Sequence, residues 1–349
     1  MIVLRKGQIV YYKSFGYNNI DIKTPLQKDD IGRIMSMSKI ITTTAIMMLY
    51  EEGKLQLDDP VSKFIPSFKN PKVLAYFNEK DTTFSAIPAK KEVTIRQLLT
   101  HTAGIAYSHP LYAKAGIPDF FSLEPKTISQ TMAALGKLPL MHEPGEKYTY
   151  GLNTDVLGYV VEVVSGMNFG EYLQKKIFEP LGMTDTGFSL PDSKKNRLIR
   201  LCMDDDKGLR VHSDFAEENY PISGAKTYQS GGAGLVSTVM DYAKICQMLL
   251  NGGSFNGKQI LGRKTIEMMC INQIGDLEVW DSGNKFGFGL EITSEKSHTK
   301  TPSSVGSLRW GGRNYSDYWF DPKEELVGVW MTQIVPAKHW GIEAQWVYE

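Results

Sequence analysis

The sequence predicts an α/β chain, of the α+β kind: one antiparallel sheet built from both chain ends, flanked by helices, with a mainly helical domain inserted between. Three observations predict it. Period-two apolar runs crowd the two termini, helix-like segments separated by Pro/Gly loops fill the middle, and a long apolar helix follows the first strands. At 349 residues the chain is long for one compact core, which favours two intimately packed sub-domains sharing a cleft. Residues 1–65 and 225–349 are expected to form the sheet domain and residues 66–224 the inserted one.

The elements follow in order. "MIVLRKGQIVYYK" alternates around a Lys6-Gly7 turn and reads as a hairpin. From Ser36 to Glu52 the apolar positions Ile40, Ile41, Ala45, Met48 and Leu49 recur at three- and four-residue steps, and Gly53 supplies a C′ stop, so this is a buried helix. Segments such as "TIRQLLTH", "TISQTMAALGKL", "TDVLGYVVEVVSG" and "FGEYLQKKIFEPLG" make residues 66–224 mainly helical. A Gly-rich turn, "SGGAGLVS", precedes another helix, "TVMDYAKICQMLLNGG". Four period-two runs then end the pattern: "FGFGLEI", "SVGSLRW", "YSDYWFD" and "ELVGVWMTQI".

Composition narrows function by exclusion. Lys and Arg total 39 against 39 Asp and Glu, and no basic run has the density of a nucleic-acid or anionic-membrane patch, so neither partner is expected. Cys202, Cys246 and Cys270 are too few and scattered for a disulfide framework or a metal knuckle. The longest apolar run, in "AIMMLY", is far short of the roughly 20 residues of a membrane span. The N-terminus lacks a basic region followed by an apolar one. The chain as given is therefore expected in the cytoplasm, or in the periplasm or medium if an export signal has been lost.

The chemistry centres on Ser36 and Lys39. A serine hydroxyl needs a neighbouring base to act as a nucleophile, and residues three apart on a helix are neighbours on one face. The helix start also offers unpaired N–H groups where an acyl-transfer intermediate develops negative charge. Ser-x-x-Lys recurs by chance at Ser223/Lys226, Ser282/Lys285 and Ser297/Lys300, but only the first pair opens a buried helix. Rival chemistries lack their signatures: no Gly-x-Ser-x-Gly elbow, no His-Glu-x-x-His, no phosphate or dinucleotide cradle. No metal and no cofactor is implied.

The chain resembles the serine β-lactamase and penicillin-binding protein superfamily. The resemblance rests on Ser36-Met37-Ser38-Lys39, on "EEGKLQLDDPVSKFIPSF", "TIRQLLTHTAGI", "PGEKYTYGLNTDVLGYVVE" and on "GGAGLVSTVMDYAKICQMLLNGG". It implies a β-lactamase-like fold with its active site in the cleft between the two domains, and a second motif starting at Tyr150, a proton relay facing the Ser-Lys pair. Class C β-lactamases have Tyr-x-Asn there; this chain has Tyr150-Gly151-Leu152, with Asn153 one place later. "YGLNTDVLG" is more similar to the β-lactamase-like carboxylesterases of family VIII, in which an aspartate, here Asp155, follows the tyrosine. Asn153 and Asp155 are thereby candidates for substrate binding, with a helix N-terminal carboxylate as the alternative for Asp155. The third motif, Lys-Thr-Gly in β-lactam enzymes, reads Trp310-Gly311-Gly312, the form of the esterase branch. These three residues would bind substrate, and the N–H groups of Ser36 and Arg313 would form the oxyanion hole. The resemblance thus implies a serine hydrolase cleaving a small-molecule ester or amide through an acyl-enzyme on Ser36. A β-lactamase or D-Ala-D-Ala carboxypeptidase on the same core, and a non-catalytic binding protein, are the alternatives. Sequence leaves open whether Lys39 or Tyr150 is the general base.

Overall fold

The computed structural model describes residues 1–117, 123, 125–212, 214–300 and 302–338. The chain opens with β1 (Ile2–Arg5) and β2 (Gln8–Tyr12), joined through Lys6 and Gly7. Both turn residues have positive φ, +52° and +73°, the requirement of a tight hairpin that follows strand twist. The helix α1 (Ser38–Glu51) buries 11 of its 14 residues, Lys39 included, so it is apolar nearly all round and lies in the interior. Gly53, at φ +70°, ends it as the sequence predicts.

The middle of the chain carries the expected helices and also two hairpins that the sequence pattern did not announce. One pairs β3 (Lys72–Phe77) with β4 (Phe84–Pro88), and the other pairs β5 (Cys202–Asp205) with β6 (Gly208–Val211). The first has only Val73 fully buried, so it has no buried face whose period could show in the sequence. The long helix α2 (Asn153–Ser165), closed by Gly166 at φ +69°, packs on α1.

After α3 (Val239–Leu250) the strands β7 (Lys285–Phe286), β8 (Glu291–Ile292), β9 (Leu308–Gly312), β10 (Ser316–Asp321) and β11 (Leu326–Trp330) follow. The main sheet runs β7-β8-β9-β10-β11-β1-β2, antiparallel throughout. The two chain ends meet where Ile2 pairs with Val329 and Arg5 with Leu326. That is the α/β architecture the sequence predicts. One continuous apolar core, from Ile2 through α1 and α2 to Val329, links sheet and helices. Its consequence for the site is rigidity: α3 packs against β10 and β11, and its Tyr242 hydroxyl reaches across to donate to the Met37 carbonyl at 2.7 Å.

Candidate active site

Ser36 sits in a single 3₁₀ turn, Met35–Met37, immediately before α1 rather than on the helix itself. Met35 holds φ +47°, a conformation a large side chain adopts only under constraint. The constraint comes from both flanks. Ile34 N–H donates to the Leu235 carbonyl at 3.1 Å, Leu235 N–H donates to Ser38 Oγ at 3.2 Å, and Tyr242 grips Met37. The result presents a half-buried Ser36 to a cleft of about 830 Å³.

Lys39, in the first turn of α1, is 1 % exposed. Its ammonium donates to the Tyr107 hydroxyl at 2.6 Å, the Gly232 carbonyl at 2.7 Å and Ser36 Oγ at 3.2 Å. Three protons thus have three acceptors. The rings of Tyr150 and Tyr107 lie 4.6 and 5.1 Å from the same nitrogen and add cation–π attraction.

The Gly-rich turn is what brings a carbonyl so close. A Cβ on Gly231 would lie 2.5 Å from the Thr154 carbonyl, and one on Gly232 would lie 2.6 Å from Asp155 Oδ2 and 3.5 Å from Lys39 Nζ. Asp155 is buried and takes hydrogen bonds from the Ser230 hydroxyl at 2.6 Å and the Tyr228 hydroxyl at 3.3 Å. Burial raises its pKa, against the opposing pull of Ser230, Lys39 and the Gly232 N–H. Here the structure corrects the expectation from resemblance. Asp155 does not face the cleft; it holds the turn that carries Gly232. Asn153 does not line the cleft either: fully buried, its amide donates to the Ile105 carbonyl at 3.2 Å and pairs with His101 Nδ1 at 2.9 Å. Burial, with Lys39 adding to it, holds the His101 pKa well below the ordinary value, and the ring is neutral.

Two tyrosines flank the pair where the sequence marked one. Tyr150 lines the cleft, and its hydroxyl accepts from Trp310 Nε1 at 3.2 Å. Gly151 permits this position, because a Cβ there would fall 2.1 Å from the Ile105 carbonyl. Tyr107 is the one whose hydroxyl meets Lys39, and its ring centroid lies 5.1 Å from that of Tyr150. Burial, then the neighbouring Tyr150 and Asp155, pushes its pKa well above the ordinary phenol value, so it stays a neutral hydroxyl. It lies 68 residues from Lys39, and the only signal for it was its place two residues beyond "TIRQLLTHTAGI".

Opposite Ser36, β9 contributes Trp310, Gly311 and Gly312, and all three line the cleft. Gly312 is required by space: a Cβ would stand 2.7 Å from the Ile34 carbonyl, so only glycine lets the strand's end close on the nucleophile's turn. Gly311 has more room, its nearest neighbour being the Ser316 carbonyl at 3.3 Å. Arg313 donates to Glu217 Oε1 at 2.8 Å. Arg309 is bonded to Asp317 and stands 3.7 Å from Glu291. Among the described residues no group of three or more His, Cys, Asp or Glu is placed to hold a metal ion. No described helix is long and apolar enough to cross a membrane.

A family model described as Beta-lactamase matches residues 1–345. The chain belongs to the β-lactamase family. Among its relatives, Esterase EstB of Burkholderia gladioli is 27% identical over 91% of this chain and 81% of its own length. Lovastatin esterase of Penicillium rubens is 29% identical over 95% and 86%. The solved structure of EstCE1, a hydrolase with promiscuous acyltransferase activity, superposes with a TM-score of 0.82 at 30% identity, covering 95% of this chain and 87% of that one. This member of the β-lactamase family is an enzyme, a serine hydrolase.

Proposed function

We propose that this serine hydrolase cleaves carboxylic esters through a covalent acyl-enzyme on Ser36. The carrying observation is that a buried lysine gives one of its three hydrogen bonds to Ser36 Oγ, and of the described serines lining the cleft only Ser36 is so placed. With one proton of the Lys39–Tyr107–Tyr150 group first given up to solvent, Ser36 Oγ attacks the acyl carbon, its own proton fills that place, and the group then passes a proton to the departing alkoxide. Water, or another alcohol, then takes the acyl group by the same steps in reverse. The backbone N–H groups of Ser36 and Arg313 are the proposed donors to the oxyanion, brought together by the close approach at Gly312.

The same core would serve a β-lactamase or D-Ala-D-Ala carboxypeptidase, but the third segment favours a neutral ester. Trp310 stands where those enzymes hold a lysine, and the flanking Arg309 and Arg313 are engaged by Asp317 and Glu217. The test is covalent labelling. A fluorophosphonate, followed by digestion and mass spectrometry, is expected to mark the peptide carrying Ser36, and Ser36→Ala to abolish both labelling and p-nitrophenyl butyrate turnover. Modification of another serine, with Ser36→Ala still active, would overturn the assignment.

A further inference from the structure

Residues Val279–Ser282 form a turn closed by Ser282 N–H donating to the Val279 carbonyl at 2.9 Å. Its two central residues, Trp280 and Asp281, have φ +46° and +58°. Such mirror-image turns are normally built from Gly, Asn or Asp, since a bulky residue at positive φ is an outlier. Strain of this kind persists only where the surroundings hold it, and it clusters at ligand clamps. The turn is braced beneath by Val279 N–H to the Asn284 carbonyl at 3.1 Å.

What the strained turn achieves is placement of one ring. Trp280 is 60% exposed, so it is not spent on the core. Its ring stacks on Trp310, with centroids 5.3 Å apart at 28°, and stands edge-on to Tyr150 at 5.4 Å. Trp310 is in turn pinned by its bond to the Tyr150 hydroxyl. All three line the cleft with Ser36, and Tyr112 and Ile117 line the same cleft. The cleft, at about 830 Å³, lies in the upper part of the range for drug-sized ligands, far more than a short alkyl ester fills.

We propose that Trp280, stacked on Trp310, is a subsite for a flat aromatic or fused-ring group of the ester, so that aryl and polycyclic esters are the preferred substrates over short alkyl ones. This rests on the reading of Ser36 as the nucleophile, and the test separates the two. The ratio of kcat/KM for 2-naphthyl butyrate over methyl butyrate is measured for the parent, Trp280→Ala, Trp280→Leu and Trp280→Phe. In parallel, dissociation of 2-naphthol from the Ser36→Ala protein, with and without Trp280→Ala, is followed by fluorescence.

Trp280→Ala and Trp280→Leu are expected to lower the ratio about tenfold, chiefly through KM, as loss of an aromatic contact and its buried area predicts. Trp280→Phe is expected to stay within threefold of the parent, and 2-naphthol to dissociate about tenfold more readily once Trp280 is lost. Equal losses on both esters, or a ratio that moves less than threefold, would overturn the subsite, as would unchanged 2-naphthol binding. If neither ester turns over yet 2-naphthol binds the parent and is lost in Trp280→Ala, the subsite stands and the nucleophile assignment falls. Circular-dichroism melting monitors the fold, and Trp280→Leu decides the question should Trp280→Ala fail to fold: 2-naphthol dissociating about tenfold more readily supports the subsite, and binding within threefold of the parent overturns it.

Discussion

Tyr107→Phe removes one oxygen, and that oxygen accepts from Lys39 Nζ at 2.6 Å. Lys39 is 1 % exposed, so no bulk water stands ready to replace the lost acceptor. A hydrogen bond to a charged group is worth about 1.5–3 kcal/mol, and each 1.36 kcal/mol is a decade in rate, which predicts a fall of about 10- to 150-fold in kcat/KM. Tyr150→Phe provides the contrast. In the resting site its hydroxyl accepts from the Trp310 indole, a neutral bond worth about 0.5–1.5 kcal/mol, or about 2- to 12-fold. If Tyr150 carries the proton in the transition state, the loss is instead about 100- to 10,000-fold. Steady-state hydrolysis of p-nitrophenyl butyrate by the two single variants and the double variant, with melting curves alongside, gives both numbers. It also shows whether the two hydroxyls act as one unit, in which case their losses do not add. A Tyr107→Phe enzyme within threefold of the parent would refute the argument, because the shortest bond of the lysine would then have no part in turnover.

Other outcomes follow from the same geometry. Gly312→Ala would place a methyl 2.7 Å from the Ile34 carbonyl, driving β9 from the Ser36 turn, and kcat is expected to drop about 100- to 1,000-fold, while Gly311→Ala costs much less; equal losses would deny Gly312 its special place. With Trp310 in the lysine's position, kcat/KM for nitrocefin should lie at least about tenfold below that for p-nitrophenyl butyrate, the value of a missing charge-assisted bond; nitrocefin winning would move the enzyme to the β-lactam branch. Arg197 holds the Asp185 carboxyl down at about 2, so the pair stabilises the fold above pH about 4 and that contribution is lost as pH falls toward 2. Arg197→Gln should therefore lower the free energy of urea unfolding at neutral pH by about 1–2 kcal/mol, and the deficit should shrink toward pH 2, leaving only the loss of the Arg197 bonds to the Asp29 carbonyl; a deficit independent of pH would assign the effect to packing instead.

The sheet built from both chain ends was legible because β9, β10 and β11 are long, apolar and turn-bounded, and because the Lys6-Gly7 turn has local chemistry of its own. The hairpin of β3 and β4 was not, since most of its residues are exposed on both faces. In the site, Ser36 and Lys39 were visible because residues three apart meet across one helical turn, and the 3₁₀ turn before α1 keeps that spacing; Tyr150, Trp310 and Gly312 were visible because of resemblance. Tyr107 and Gly232 reach Lys39 across 68 and 193 residues, and no local pattern encodes such a meeting. Asn153 and Asp155 show the converse failure. A polar residue in the first turn of a helix looks the same whether it faces a cleft or the interior, and only the packing of the glycine turn against α2 decides which.

That packing also bears on how the site can keep a lysine buried beside its nucleophile. Among the described residues no carboxylate hydrogen-bonds Lys39; its acceptors are a phenol, a carbonyl and a hydroxyl. Asp155 stands beyond Gly232: its Oδ1 takes the Ser230 and Tyr228 hydroxyls, while its buried Oδ2, the oxygen next to Gly232, has no hydrogen-bond partner among the described residues. A direct ion pair would draw the side chain from Ser36, since a carboxylate in contact would take its hydrogen bonds. Set beyond Gly232, Asp155 leaves those three bonds in place. Of the three bonds, the one to Ser36 Oγ is the longest, at 3.2 Å, so it is the weakest held and the first to give when Ser36 turns to an acyl carbon. The other two keep Lys39 in place while that happens. Gly232 therefore serves the chemistry twice, by the carbonyl it offers to Lys39 and by the side chain it lacks.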